Sequence, residues 1–280
     1  MRASRRRRGL ILLLLAAPGA FVFVGFFLLP LGSVARDAFT GEGAIARVLA
    51  SQRFWDGLVG SLKLTGAAAT VSTVVGFCVA LHLSRLNEVV RTALVFVIAL
   101  PLTFSGLIVA YGFILGYGRA GFVTQLLASG GWEAADIAAF LFSPYGLAFA
   151  SSYYLIPRIV MLMLPVLVNF DLRQMQAAES LGASRLRALV DVMLPQILPT
   201  LVGAFCLVAA VVFGAYGTAL ALVGTQVNIL PLQLYSLVAE TGSDFPAAAA
   251  LALILTSICS VIIALGELAG GRGATGDAHR

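Results

Sequence analysis

Residues 176–199 read QAAESLGASRLRALVDVMLPQILP. Within them Glu179, Arg185, Arg187 and Asp191 bring charge into a region whose flanks are nearly charge-free. A polar, helix-forming insert of this length between two apolar segments needs an explanation, and the explanation depends on what solvates the flanks.

That solvent is lipid. Of the 280 residues 60% are hydrophobic and only 11% charged, whereas a soluble domain carries about a quarter of its residues as Asp, Glu, Lys and Arg. The mean hydropathy is +0.99, and a soluble fold of this composition would leave large apolar patches facing water. Much of the net charge of +5 comes from Arg5 to Arg8. Basic residues beside an apolar run are read first as topology signals, so no nucleic-acid partner is implied.

A bilayer core needs about 20 apolar residues of helix. Six runs qualify: Leu10–Leu31, Leu64–Leu83, a third within Thr92–Gly118, Ser143–Val168, Leu198–Val223 and Ala247–Leu268. The first is too long for a typical signal-peptide core, and Pro18 spoils the small-residue cleavage site, so an uncleaved anchor is expected. The fourth carries Pro157, Arg158 and Pro165, read here as an interruption. If the N-terminus is cytoplasmic, twelve Lys and Arg lie on that side and five (Arg36, Arg47, Arg53, Lys63, Arg119) on the other. The positive-inside rule then expects both termini, and the opening stretch, in the cytoplasm. The fold class expected is all-α: a polytopic membrane protein with six transmembrane helices.

The insert itself reads as two short helices. Asp171 with Gln174 resembles a capping box, and Leu172, Met175, Ala178 and Leu181 recur near helical spacing as an apolar stripe. Gly182 sits where a left-handed cap ends a helix. Ser184 caps a second helix, Arg185–Met193, which Pro195 is expected to stop, and Pro199 fits the first turn of the fifth span. An apolar helix face without lipid or core to bury it suits a protein partner's groove.

Gln176–Ala177–Ala178, Leu181–Gly182–Ala183, Leu194–Pro195 and Pro199 together resemble the EAA loop of bacterial ABC importer permeases of the methionine-importer type. The resemblance covers about Leu58–Leu268. It divides the chain into 1–57 (basic N-terminus, first helix and periplasmic segment), 58–270 (permease domain, with the loop at 171–199) and a cytoplasmic tail, 271–280. It implies ATPase coupling through Gln176, Ala177, Ala178, Glu179, Leu181, Gly182 and Ala183. It also implies cytoplasmic ATPase subunits, a second permease (identical or not), a periplasmic substrate-binding protein and the bilayer as partners, in a bacterial inner membrane. The family usually has Glu where this chain has Gln176. Residues 214–236, GAYGTALALVGTQVNILPLQLYS, also resemble permeases for polyamines, ferric iron or aminophosphonates, and Ile229–Leu234 within them suits a short re-entrant or interfacial helix.

Enzyme signatures are scarce. The two histidines are His82, near a span end, and His279, in the tail, and no HExxH, GxSxG or GxxxxGK[ST] occurs. Cys78, Cys206 and Cys259 stand singly in apolar runs and are expected as buried apolar residues. No catalytic residue, cofactor or metal is expected. Gly112 and Gly116 form a GxxxG, and Gly214 and Gly217 lie in the fifth span; both suit close helix packing, within the chain or against a second permease. Arg158 lies ten positions from Val168, roughly 15 Å at helical rise and thus near mid-membrane. A charge there marks a substrate pathway, an acidic partner, or carbonyls freed by Pro157. Glu267 is the one acid in the other five spans as drawn. A stand-alone secondary transporter is the alternative function, and the matched broken spans it should show in both halves are not evident.

Overall fold

The computed structural model describes residues 16–41, 43–239 and 244–274. The Arg5 to Arg8 run, the start of the expected first span and His279 lie outside them. Among the described residues there is helix and no strand, and six helical segments are long and apolar enough to cross a membrane, one of them, Gly106–Ser129, interrupted after Tyr117.

The chain divides into two compact units. The first comprises Met1–Phe54 and Leu234–Ile254. Its first helix, α1 (Ala16–Thr40), carries no charge before Arg36 and Asp37, and its most apolar window has no buried residue. Phe21 and Phe26 are more than three-quarters exposed, which suits a helix solvated by lipid. A short α2 (Ala44–Ala50) follows. Gly41 lies so close to Pro246 that any Cβ there would overlap its ring. Arg47 pairs with Asp244 at 3.4 Å, and Arg53 Nη2 donates to Ser236 Oγ at 3.3 Å.

The second unit comprises Trp55–Gln233 and Leu255–Arg280 and contains the main core. Helix α3 (Gln52–Leu83) starts twelve residues before the apolar run that marks it. The third run is two helices, α4 (Glu88–Ala99) and α5 (Gly106–Tyr117), separated by a 3-10 turn at Leu100–Thr103. Pro101 removes a backbone donor and favours the break; Ser105 then caps α5, its Oγ accepting from Ile108 N at 3.4 Å. Two helices with no counterpart in the hydropathy reading follow, α6 (Phe122–Ser129) and α7 (Ala134–Leu141).

Helix α8 (Pro144–Val168) is the centre of the unit, with Leu155, Ile159, Val160 and Met163 fully buried. It runs unbroken through Pro157 and Pro165, so the expected interruption is absent. Packing over-determines it: a Cβ on Gly76 of α3 would stand 2.7 Å from Ile159 Cβ, and Ser72 Oγ donates to Ser152 Oγ at 3.3 Å. Helix α9 (Leu172–Ser180) precedes α10, which runs from Arg185 to Phe213. Pro195 does not end this helix, and Pro199 lies inside it rather than at its start. A π segment at Leu189–Met193 widens the turn that holds the Asp191 carbonyl, against which the Pro195 ring would otherwise clash.

Beyond the Gly214–Tyr216 break come α11 (Gly217–Val223), α12 (Leu230–Ala239) and α13 (Phe245–Ala274). Helix α12 matches the short helix expected near Ile229–Leu234, although Ile229, Leu230 and Leu232 are buried rather than interfacial. Close packing uses other glycines than the GxxxG. A Cβ on Gly266 of α13 would meet Cys206 Cβ at 2.6 Å, whereas one on Gly112 or Gly116 meets nothing within 4 Å. Cys78 is exposed and Cys206 and Cys259 are half-buried, because each lies at the edge of a helix contact or on an outward face rather than in the core.

Candidate functional site

The loop between α8 and α10 is built from local hydrogen bonds. Asp171 Oδ1 accepts from Arg173 N at 3.0 Å and starts α9. Gln174 does not complete a capping box; its Oε1 accepts instead from Gln196 Nε2 at 2.6 Å, which ties α9 to α10. At the other end Gly182 takes φ +93°, and Ala183 N donates to Ala178 O at 3.1 Å. This left-handed turn suits glycine because it has no Cβ to crowd the backbone. Ser184 Oγ accepts from Arg187 N at 3.3 Å and opens α10.

The apolar stripe does not form one docking face. Met175 is buried and Ala178 half-buried against the core, while Leu172 and Leu181 remain exposed. Gln176, Ala177, Glu179 and Gly182 are exposed and Ala183 is half-buried. A shallow cavity of about 330 Å³ opens at the elbow, where Ala178, Gly182, Ala183 and Ala188 lack bulk. Leu181, which lines the cavity, is 90% exposed, and Leu186 in the first turn of α10 is 74% exposed. Arg187 and Asp191, paired at 3.2 Å, also line the cavity. Leu186, Arg187, Ala188 and Asp191 are not among the expected coupling residues, although the i,i+4 spacing of Arg187 and Asp191 is visible in the sequence.

Arg158 lies elsewhere. It is half-buried and lines a cavity of about 260 Å³ that shares no residue with the loop cavity. Pro101, Leu102, Phe104 and Gly106 supply one wall, Tyr154 another, and Val211, Ala215, Gly217 and Thr218 the rest. The breaks after α4 and after α10 therefore both contribute to the wall of the arginine's cavity. Irregular backbone at membrane depth is tolerated where it is buried in protein or lines a cavity. Among the described residues Arg158 makes no ion pair and no hydrogen bond, so neither an acid nor a carbonyl beside Pro157 holds it. Glu267 lines a different cavity, with Pro199 and Gly203. Arg158 stands near the middle of α8, and an arginine at the centre of a membrane helix costs about 2.5–3.5 kcal/mol on insertion scales; no ion pair or hydrogen bond within the described chain offsets such a cost.

Phe104 also lines a neighbouring cavity of about 440 Å³, whose wall includes Phe113, Tyr117 and Tyr153. Phe113 meets Phe149 and Tyr153 edge-on, at ring separations of 5.4 and 5.9 Å. Gly112 lines this cavity too. His82 is exposed in the last turn of α3, and no group of three metal-ligating side chains occurs among the described residues.

Comparison with known proteins bears on this arrangement. The family described as "Binding-protein-dependent transport system inner membrane component" matches residues 72–271. The molybdenum transport system permease protein ModB of Escherichia coli (strain K12) is 28% identical over 214 residues, 75% of this chain and 90% of that protein. The putative 2-aminoethylphosphonate transport system permease protein PhnU of Salmonella typhimurium (strain LT2) is 28% identical over 261 residues, 90% of each chain. The spermidine/putrescine transport system permease protein PotB of Salmonella typhimurium (strain SL1344) is 25% identical over 210 residues, 75% of this chain and 72% of that one. A chain of a bacterial alginate ABC transporter, crystallised with an alginate-bound periplasmic protein, has the same fold, with a TM-score of 0.78 at 18% identity over 96% of each chain.

Proposed function

Since the chain belongs to the family of binding-protein-dependent transport system inner membrane components, the multi-pass permease subunits of ABC importers, we propose that its loop docks a cytoplasmic ATPase and that its Arg158 cavity lies on the path of the solute. The family is a class of transporter permeases and not of enzymes, so ATP hydrolysis belongs to the separate subunit. The charge asymmetry of twelve against five supports a cytoplasmic loop and cytoplasmic termini. A second permease, identical or different, completes the pore. The open face at Gly112 and Gly116 supports its contact there, since small residues let helix backbones approach closely. A periplasmic binding protein delivers the solute.

The observation that carries the docking assignment is the small-residue cavity of about 330 Å³ at the loop elbow, with the exposed Leu181 in its wall. Gln176, Ala177, Ala178, Glu179, Gly182 and Ala183 surround or line that elbow. Two ties pass motion inward. Met175 is seated in the core, and Gln196 joins α9 to α10. A push on α9 as the ATPases close therefore moves α10, whose far end contributes Val211 to the Arg158 cavity. The π segment at Leu189–Met193 provides the deformable joint.

Copurification tests this reading. The full-length chain, expressed with the ATPase and permease of its own transport system, should pull down both from detergent. Recovery of the intact chain without any ATPase would overturn the assignment.

A further inference from the structure

We propose that the Arg158 cavity binds a tetrahedral oxyanion, which makes the transported solute an anion of the phosphonate or metal-oxyanion type rather than a polyamine. The inference rests on the pore reading above and names the substrate class for that pore.

Three donors converge on the cavity. The guanidinium of Arg158 offers five N–H groups and no acceptor, in a fork that matches paired oxygens. It has no partner among the described residues. Gly106 opens the twelve-residue helix α5 and lines the cavity. Ser105 Oγ takes the N–H of Ile108 and Ser105 O that of Val109, so the N–H groups of Gly106 and Leu107 remain for a ligand. The third donor is Thr218, only 2% exposed and on the cavity wall. Its hydroxyl has no hydrogen-bond partner among the described residues, yet it stands so close to Gly106 that a Cβ there would overlap it. A hydroxyl that opens to the cavity at a helix N-terminus, beside an unpaired arginine, is left to a ligand or water.

The charge excludes the opposite class. No carboxylate lines the cavity, whereas a polyamine would bring like charge against Arg158 with nothing to pair it. A broken membrane helix that turns its N-terminus toward the path favours anionic groups on electrostatic grounds. The volume, about 260 Å³, accommodates one such anion with several waters at about 30 Å³ each.

The test uses the assembled transporter in nanodiscs, carrying Ala215→Cys as a reporter on the cavity wall. Alkylation at position 215 by a small neutral maleimide is followed by peptide mass spectrometry, with the native cysteines left in place. The probes are 2-aminoethylphosphonate, molybdate, inorganic phosphate and spermidine, each at millimolar concentration, in zwitterionic and in anionic lipid. At least one oxyanion should slow alkylation about fivefold, as expected for a ligand at a few times its Kd, and spermidine should not. Arg158→Gln should abolish that protection and Arg158→Lys should keep part of it. Protection by spermidine, protection that survives Arg158→Gln, or no protection by any oxyanion would overturn the assignment. So would protection by anionic lipid alone, which would give the cavity to a headgroup phosphate. An assembled complex that fails these arms loses the oxyanion and keeps the pore; a complex that never retains its ATPase loses the pore.

Discussion

The loop and the Arg158 cavity use the same devices in opposite surroundings. Each contains a helix break, a serine or aspartate cap and an arginine. In the loop Arg187 has Asp191, Gln174 has Gln196, and the exposed groups remain accessible to solvent. In the cavity Arg158 and Thr218 have nothing in the described chain. A satisfied polar group explains its own position, and an unsatisfied one asks what else comes to it. The contrast supports the proposal that the loop meets a protein surface that needs only shape and the cavity a solute that brings charge.

The largest effect should come from Gly182→Trp. Ample space surrounds Gly182, so the indole would stand in the elbow and hold the partner off. Binding-protein-stimulated ATP hydrolysis should fall about a hundredfold, equivalent to about 2.7 kcal/mol, while the chain stays folded in the membrane. Gly182→Ala separates bulk from backbone strain, since at φ +93° the methyl adds strain of about 1–2 kcal/mol but little volume. Equal losses in both variants would locate the effect in the turn and not in docking.

Gly76→Ala probes the rigid wall behind the cavity. Its methyl would meet Ile159 Cβ at 2.7 Å and Ile156 O at 3.1 Å, and overpacking of this kind costs about 1–3 kcal/mol. Thermal unfolding of the purified complex should move down accordingly. An unchanged transition would mean that α3 and α8 slide freely. Arg158→Ala should reduce transport about tenfold, roughly 1.4 kcal/mol in the barrier, with the complex assembled and its basal ATPase intact. Normal transport, or failure to assemble, would make Arg158 structural. The smallest effect belongs to Gln176→Glu, within about 0.5 kcal/mol of neutral, because position 176 is exposed and its side chain holds nothing in place.

Legibility divided along the same line. The six apolar runs, the Asp171 and Ser184 caps and the left-handed Gly182 were readable because each depends on a few neighbouring residues. The lack of an acid for Arg158 was readable by elimination. Pro195 misled, because a π turn formed by Leu189–Met193 absorbs its ring, and one-dimensional pattern does not report helix radius. The break at Leu100–Ser105 was hidden inside a charge-free run. Hydropathy reports solvent, and both halves of that run share one. Thr218 carried no local signal at all; its significance comes from Gly106, more than a hundred residues earlier in the chain.

We propose that motion at the loop reaches the Arg158 cavity through α10. It is tested most directly by alkylating the Ala215→Cys transporter with and without ATP and vanadate, in the otherwise unaltered chain and in Gly182→Trp. The rate at position 215 should change severalfold on trapping the nucleotide-bound state, and that change should vanish in Gly182→Trp. A rate that ignores nucleotide in the unaltered loop, or responds equally in both chains, would contradict the account.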